Sequence, residues 1–445
     1  MTELSCRWAA GPFLARFLLA LGILLALLVA PGCGQGQAAS RPEEGSARDW
    51  PFSVVSTEPR FRVFYDSPAD RGTAEQVASS LRDAWVFQTR VLGFTNPPSD
   101  GGIVGPDDWF DVFLVRGIDS CKVDIASPEP VTPWGGLACY MQLDPWGKYG
   151  GEGLAQTVAH EFNHATQAAD AWNDMPIVYE MTACYVDQYF GGPIGYQLAD
   201  FQAHPEWSLL RNDDYATYYM YGSSLYLHFL RDCYFGGDDR FISLLWKAMR
   251  RRPGVDPARP LFVDALNAAL APQGKSFLDT VPTFARWRYY TYSRDDHRHF
   301  QRVTPALATR PQTFLPDETS LPESDLVLRQ VSLQETPLSI DPAPMRTGSA
   351  YRQVVRENPS QTSFQVRLIQ PPGPASEKVR WVVQAVPGLS PDSDGEVVEF
   401  TRGVARVPFA PDGRRTLILT AMPTSDYDPA FPSDETFPVS LQLEP

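Results

Sequence analysis

Residues 154–170, LAQTVAHEFNHATQAAD, decide how this 445-residue chain is read. They follow a glycine-rich turn, Gly147 to Gly153, and precede the break Asn173-Asp174-Met175-Pro176. A helix is therefore expected from about Leu154 to Trp172, and a second from about Ile177 to Phe190. Inside the first lies His160-Glu161-Phe162-Asn163-His164. Residues four apart share one face of a helix, so the two imidazoles can hold a single zinc ion while Glu161 points toward its water.

A catalytic zinc site needs a third protein ligand and one open position. Asp170 has the spacing of the extended HExxHxxGxxH pattern ending in aspartate, but Gln167 stands where that pattern needs a glycine with positive φ. Cys184 is a further candidate. Glu180 is better placed, 16 residues beyond His164 and early in the next helix, after a proline-marked turn that lets the two helices pack antiparallel. Asp187, two turns after Glu180, is positioned to orient a zinc-bound imidazole through its free ring nitrogen, with a plain surface aspartate as the competing reading.

Outward from this core the chain reads as α+β. Phe61 to Tyr65 alternates like a strand, and Thr73 with Gln76 resembles a capping box opening a helix to about Leu92. Residues 93–102, GFTNPPSDGG, cannot continue a helix and form a loop. Strands are expected at Trp109 to Val115 and Leu137 to Leu143, and helices at Tyr218 to Tyr234, Asp239 to Arg250, Leu261 to Ala271 and Ser276 to Tyr292. Residues 301–445 then hold 20 of the 41 prolines, with short alternating runs such as Phe364 to Ile369, Val379 to Val386 and Thr416 to Thr420 between turn signals. That pattern predicts an antiparallel, immunoglobulin-like β-sandwich over about 325–445, after a first globular unit over 51–310.

The pairing of HEFNHATQ with YEMTACYVD, Tyr179 to Asp187, resembles the gluzincin metallopeptidases, whose HExxH is followed on a second helix by a glutamate ligand in an E-G-x-A-x-aromatic-x-acid pattern. It resembles more closely a group of exported bacterial metalloproteases that read HEFFHAxQ and E-G-T-A-T-W-x-E-D, with a GF…PPSDGG loop upstream and a C-terminal β-sandwich. Gly93-Phe94, Pro97 to Gly102, His160 to Gln167 and Glu180 to Asp187 occur here in that order. Departures are Asn163 for phenylalanine, Met181 for glycine and Cys184 for a small polar residue. The resemblance implies a thermolysin-like catalytic domain with a mixed sheet, zinc held by His160, His164 and Glu180, and Glu161 as general base in peptide-bond hydrolysis. Tyr218 to Gly222 resembles the Y-x-K-G segment of gluzincin aminopeptidases, which points to Tyr219 as the oxyanion donor, Tyr221 as runner-up and ordinary aromatic packing as the competing reading. Residues 137–143 would take the place of the edge strand that receives extended substrate. No acidic motif for binding a free substrate amine is present there, which favours an endopeptidase.

The N-terminus sets the compartment. Arg7 and Arg16 precede an apolar run from Phe17 to Ala30, too short for a membrane span and suited to a signal-peptide core, so 1–32 is read as an export signal. Cys33 then stands where a lipoprotein cysteine is lipidated; simple secretion is the alternative. The result is an outer-membrane or cell-surface lipoprotein, or a secreted or periplasmic protein, with 33–50 as a flexible tether. Four cysteines remain, Cys121, Cys139, Cys184 and Cys233, compatible in an oxidising compartment with two disulfides, Cys121 with Cys139 and Cys184 with Cys233. The formal charge of −15 disfavours nucleic-acid partners, which require clustered lysine and arginine. The expected partner is a protein or peptide substrate. The reading from a different class is a noncatalytic surface-binding lipoprotein with a structural zinc site, against which the retained Glu161 argues. Asp392-Ser393-Asp394-Gly395-Glu396 has calcium-like character without a full EF-hand loop and is read as a solvated turn.

Overall fold

The computed structural model describes residues 50–300 and 326–445, apart from residues 119, 148–149, 173, 192–194, 213–214, 252–258, 260, 297, 327, 334–336, 391–392, 425–426 and 431. The expected signal segment, Cys33, the tether up to residue 49 and the boundary near 310–325 lie outside the described residues.

β1 (Phe52–Thr57) and β2 (Arg60–Tyr65) form an antiparallel pair, and β2 continues parallel to β3 (Phe110–Leu114). β3 pairs parallel with β5 (Cys139–Leu143), on which β4 (Lys122–Ile125) lies antiparallel, so the mixed sheet runs β1-β2-β3-β5-β4. The expected edge strand at 137–143 is therefore interior, and the edge beside it is β4. The short KVDI segment carries no clear alternation, so no strand is expected there from the sequence.

α1 (Arg71–Trp85) lies on one face of this sheet. It begins ahead of the expected capping box, because Pro68 and the Ser67 side chain, which accepts from the Ala69 amide, already start the turn. A π-helical turn, Val86–Val91, extends it, and Gly93 ends it at φ +82°. α2 (Leu154–Asp170) packs between α1 and α3 (Pro176–Asp187), with Phe162 stacked on Trp85 and edge-on to Phe110. Pro176 supplies the fixed φ that opens α3. α4 (Gly195–Ala203), α5 (Tyr219–Gly222), α6 (Ser224–Tyr234), α7 (Phe241–Ala248), α8 (Phe262–Leu270) and α9 (Phe277–Tyr289) complete the helical part. The expected helix over 218–234 is thus two, split at Ser223.

The C-terminal part is built of two sheets. One joins β11 (Glu396–Val397), β10 (Val379–Val386), β13 (Arg414–Pro423), β8 (Ser349–Val355) and β6 (Arg329–Val331) in that order; the other joins β12 (Val404–Pro408), β9 (Ser363–Ile369), β14 (Ser440–Glu444) and β7 (Leu338–Ser339). Val383 and Leu419 from the first share a hydrophobic cluster with Val366 and Leu441 from the second. All pairs are antiparallel except β6 with β8, so the sheets are not wholly antiparallel as expected. α9 docks against the first sheet, where Ala285, Tyr289, Tyr351 and Ile418 form a separate cluster and the Tyr351 hydroxyl donates to the Ala285 carbonyl at 2.7 Å.

The four cysteines are free thiols, so neither expected disulfide forms. β4 and β5 are in register with Ile125 opposite Cys139 and Lys122 opposite Gln142. Cys121 therefore falls about four residues, or roughly 13 Å, along the sheet from Cys139, well beyond the reach of a disulfide. Cys184 is fully buried on α3, whereas Cys233 is exposed near the end of α6.

Candidate metal centre

Glu180, Cys184 and Asp187 are spaced i, i+4, i+7 on α3 and so share one face. That face meets His160 on α2. His160 Nε2 lies 3.2 Å from Glu180 Oε2, and His164 Nε2 lies 3.8 Å from the same oxygen. Ligand atoms of His160, His164 and Glu180 all fall within 4.8 Å of one another.

The far nitrogens of both rings are committed. His160 Nδ1 sits 2.9 Å from Asp187 Oδ2, and Gln156 Nε2 donates to the other oxygen of that carboxylate at 3.0 Å. His164 Nδ1 sits 2.9 Å from Gln167 Oε1. Gln167 is itself held, because its amide donates to Asn163 Oδ1 at 2.7 Å and to the Tyr179 carbonyl at 3.1 Å. Asn163 in turn donates to Gln88 Oε1 at 3.0 Å, and Gln88 donates to the Ala159 carbonyl at 2.7 Å. Gln88 lies in the π-helical turn after α1, and both amides are fully buried. Asn163, where the resembling proteins have phenylalanine, is thus a link in the chain that orients His164. Such partners fix the ring tautomer and leave Nε2 free for a metal.

The charges respond to this packing. Burial works against a charged Glu180, but its hydrogen bond to His160, the charges of His164 and His160 and a hydrogen bond from Tyr215 prevail and hold its pKa below the usual carboxylate value. Glu161, adjacent to His160 and buried, behaves differently: burial pushes its carboxyl up to about 7, against the charge of His160 and with Glu180, Asp187 and Asp124 adding to the push. The Asp124 contribution puts the edge strand β4 within electrostatic reach of Glu161.

The other candidates separate cleanly. Asp170 is fully buried at the end of α2, where its Oδ1 accepts from Thr95 at 2.7 Å and pairs with Arg250 at 2.7 Å. It is a structural anchor. Cys184 Sγ lies 3.9 Å from Nδ1 of His160 and with it and Asp187 makes a second group of possible ligand atoms, but that nitrogen is already engaged by Asp187 at 2.9 Å, and burial pushes the thiol up to about 12. Tyr219 corrects an expectation: it is fully buried and its hydroxyl donates to the Ser208 carbonyl at 3.0 Å, with Phe201 and Trp207 packed on its ring. Tyr221 is the residue that faces the centre, its ring lying near-parallel to His160 with centroids 6.1 Å apart. Sequence reasoning missed Tyr215, which hydrogen-bonds Glu180 from a backbone at φ +61°. Its membership of the tyrosine cluster 215–221 was the available signal, but a left-handed non-glycine residue is not legible from one sequence.

Comparison with protein-family models, with curated proteins and with solved structures gives no match.

Proposed function

We propose that the protein is an exported zinc metallopeptidase of the gluzincin type that cleaves internal peptide bonds. The observation carrying this reading is the convergence of His160, His164 and Glu180 beside Glu161. Two imidazoles and one carboxylate are a donor set of catalytic zinc, and the residues present fit that ion because both Nδ1 atoms are already engaged and both Nε2 atoms turn toward Glu180. When bound, zinc supplies Lewis acidity toward a water and a substrate carbonyl.

The chain's own residues do the rest. Glu161 accepts the proton of the attacking water and returns it to the leaving amine; a carboxyl near neutrality suits that exchange. Asp187 and Gln167 keep the imidazoles in one tautomer and orientation. Tyr221, in place of Tyr219, donates to the developing oxyanion. The free edge of β4 receives the extended substrate by main-chain pairing. The gluzincin-like arrangement of the first unit, the immunoglobulin-like character of the second and anchoring through a lipid on Cys33 belong to the same reading; the apolar run at 17–30 followed by Cys33 supports export.

Metal analysis together with cleavage of varied unstructured proteins and peptides tests it. Wild type should hold one zinc and cleave, and Glu161→Gln should keep the zinc while losing about 10²–10⁴ in rate. Stoichiometric zinc with no cleavage by wild type across those substrates favours instead a structural metal in a binding protein.

A further inference from the structure

β3 alternates its side chains between the two faces of the sheet. Phe110 and Val112 join the main cluster with α1 and α2, while Phe113 packs with Phe64 and Tyr140 on the opposite face, which Asp111 shares. Asp111 is 1% exposed, and neither of its carboxylate oxygens has a hydrogen-bond partner. A carboxylate in that condition is costly to keep ionised.

The side chain is aimed into the loop formed by residues 99–108. A Cβ added at Gly105 would lie 2.1 Å from Asp111 Oδ2, so only a glycine lets the loop backbone come this close. The same loop brings three more carboxylates; Asp108 is exposed, and the other two have other work. Asp100 accepts from the Gly102 amide at 2.8 Å and the Val104 amide at 2.9 Å. Asp107 accepts from the Trp109 amide at 3.2 Å and pairs with Arg62. Arg62 lies directly across from Asp111 in the β2–β3 register, yet its guanidinium goes to Asp107 and Ser53. Leaving out the exposed Asp108, the three carboxylates Asp100, Asp107 and Asp111 against the one guanidinium leave two negative charges in excess whenever Asp111 is ionised, as a bound cation would make it. Burial, then Asp100 and Asp107, push the Asp111 carboxyl up to about 8 against the pull of Arg62.

We propose that Asp111 is a ligand of a calcium ion held between β3 and the loop 99–108, with loop carbonyls and water completing an all-oxygen shell. No imidazole or thiol is among the groups named at this site, and hard oxygen donors in an irregular loop suit calcium better than zinc. The charge excess equals that of one divalent cation. The ion braces the connection between α1 and β3, whose Thr95 bonds Asp170 at the end of α2. The site is independent of the zinc reading, on the other face of the sheet.

The test uses the protein stripped of metals on a chelating resin and then given one equivalent of zinc. Titration with calcium chloride should show one site by calorimetry, and calcium at about a hundred times its Kd should raise the Tm by about 5 °C. Asp111→Asn should abolish both effects while unfolding no earlier than wild type in calcium-free buffer, since the carboxyl it replaces is buried and makes no hydrogen bond that would be lost. Asp108→Asn, an exposed neighbour, should retain both. Terbium emission sensitised by nearby aromatic rings and displaced by calcium gives a readout on wild type alone, should Asp111→Asn fail to fold. No calcium binding and no terbium signal in wild type overturns the proposal, as does an undiminished calcium response in Asp111→Asn. An equal response to magnesium overturns the choice of calcium.

Discussion

α2 meets a carboxylate at two points and uses them in opposite ways. Near its middle, Glu180 faces the Nε2 atoms of His160 and His164. Near its end, Asp170 is held by a guanidinium and a hydroxyl. Both acids are buried and both have motif-compatible spacing from His164, so spacing cannot choose between them. Their partners can. Asp170 Oδ1 is already taken by Arg250 and Thr95, neither of which is a zinc donor, whereas the Glu180 oxygen faces two imidazole nitrogens that, with it, form a donor set for a metal.

The widest separation between the two acids is expected in metal content. Glu180→Ala should weaken zinc binding on the order of a hundredfold or more, taking a binding free energy of order 10 kcal/mol shared among three protein ligands. Asp170→Ala should leave zinc affinity unchanged and instead lower stability by about 2–3 kcal/mol, by stranding Arg250 and Thr95. Zinc titration against a competing chelator, paired with denaturant unfolding of each variant, reads both; zinc loss in Asp170→Ala with retention in Glu180→Ala would reverse the assignment. Next in size is Asp187→Asn. It keeps a hydrogen-bond partner for His160 Nδ1 but removes the charge, and should cost about tenfold in zinc affinity with stability little changed. No change in zinc affinity would reduce Asp187 to a packing residue.

How far these differences were legible in sequence follows from what each depends on. α2 and α3 were readable because helical spacing, the glycine-rich turn before Leu154 and Pro176 are local signals, and Glu180 inherited its place from them. The Cys121–Cys139 pairing is not legible because it depends on strand register and β4 gives no signal: its four residues, KVDI, are half-exposed and lack an apolar stripe. Cys184 and Cys233 sit on α3 and α6, and how two helices place their residues against each other is not a local signal. The edge position of 137–143 comes from the resemblance alone, and β4, which takes that edge, carries no signal to oppose it. The helices expected over 239–250, 261–271 and 276–292 have near-correct ends, but the one over 218–234 is broken at Ser223, α4 is not among those expected, and the short strands β6 and β7, of three and two residues, lie below what alternation can detect. Asp111 was passed over inside an apolar strand. Its interest comes from having no partner, which only the packed structure reveals.

The same contrast between a satisfied and an open partner divides the tyrosines of α5, and there the smallest effect is expected. Tyr219 and Tyr221 are two residues apart, so on a helix their rings point to different sides. Which side faces His160 depends on where the helix begins, and the break at Ser223 hides that from the sequence. Tyr219 resembles Asp170: its hydroxyl is spent on the Ser208 carbonyl in a fully buried setting. Tyr219→Phe therefore removes the bond to the Ser208 carbonyl and the one from the Arg288 guanidinium, a loss of about 2 kcal/mol in stability. Because neither bond reaches His160, kcat should stay at the wild-type value, whereas Tyr221→Phe should lower kcat with little change in KM. A kcat deficit in Tyr219→Phe larger than its loss of folded protein would return Tyr219 to the site and undo the division between the two tyrosines.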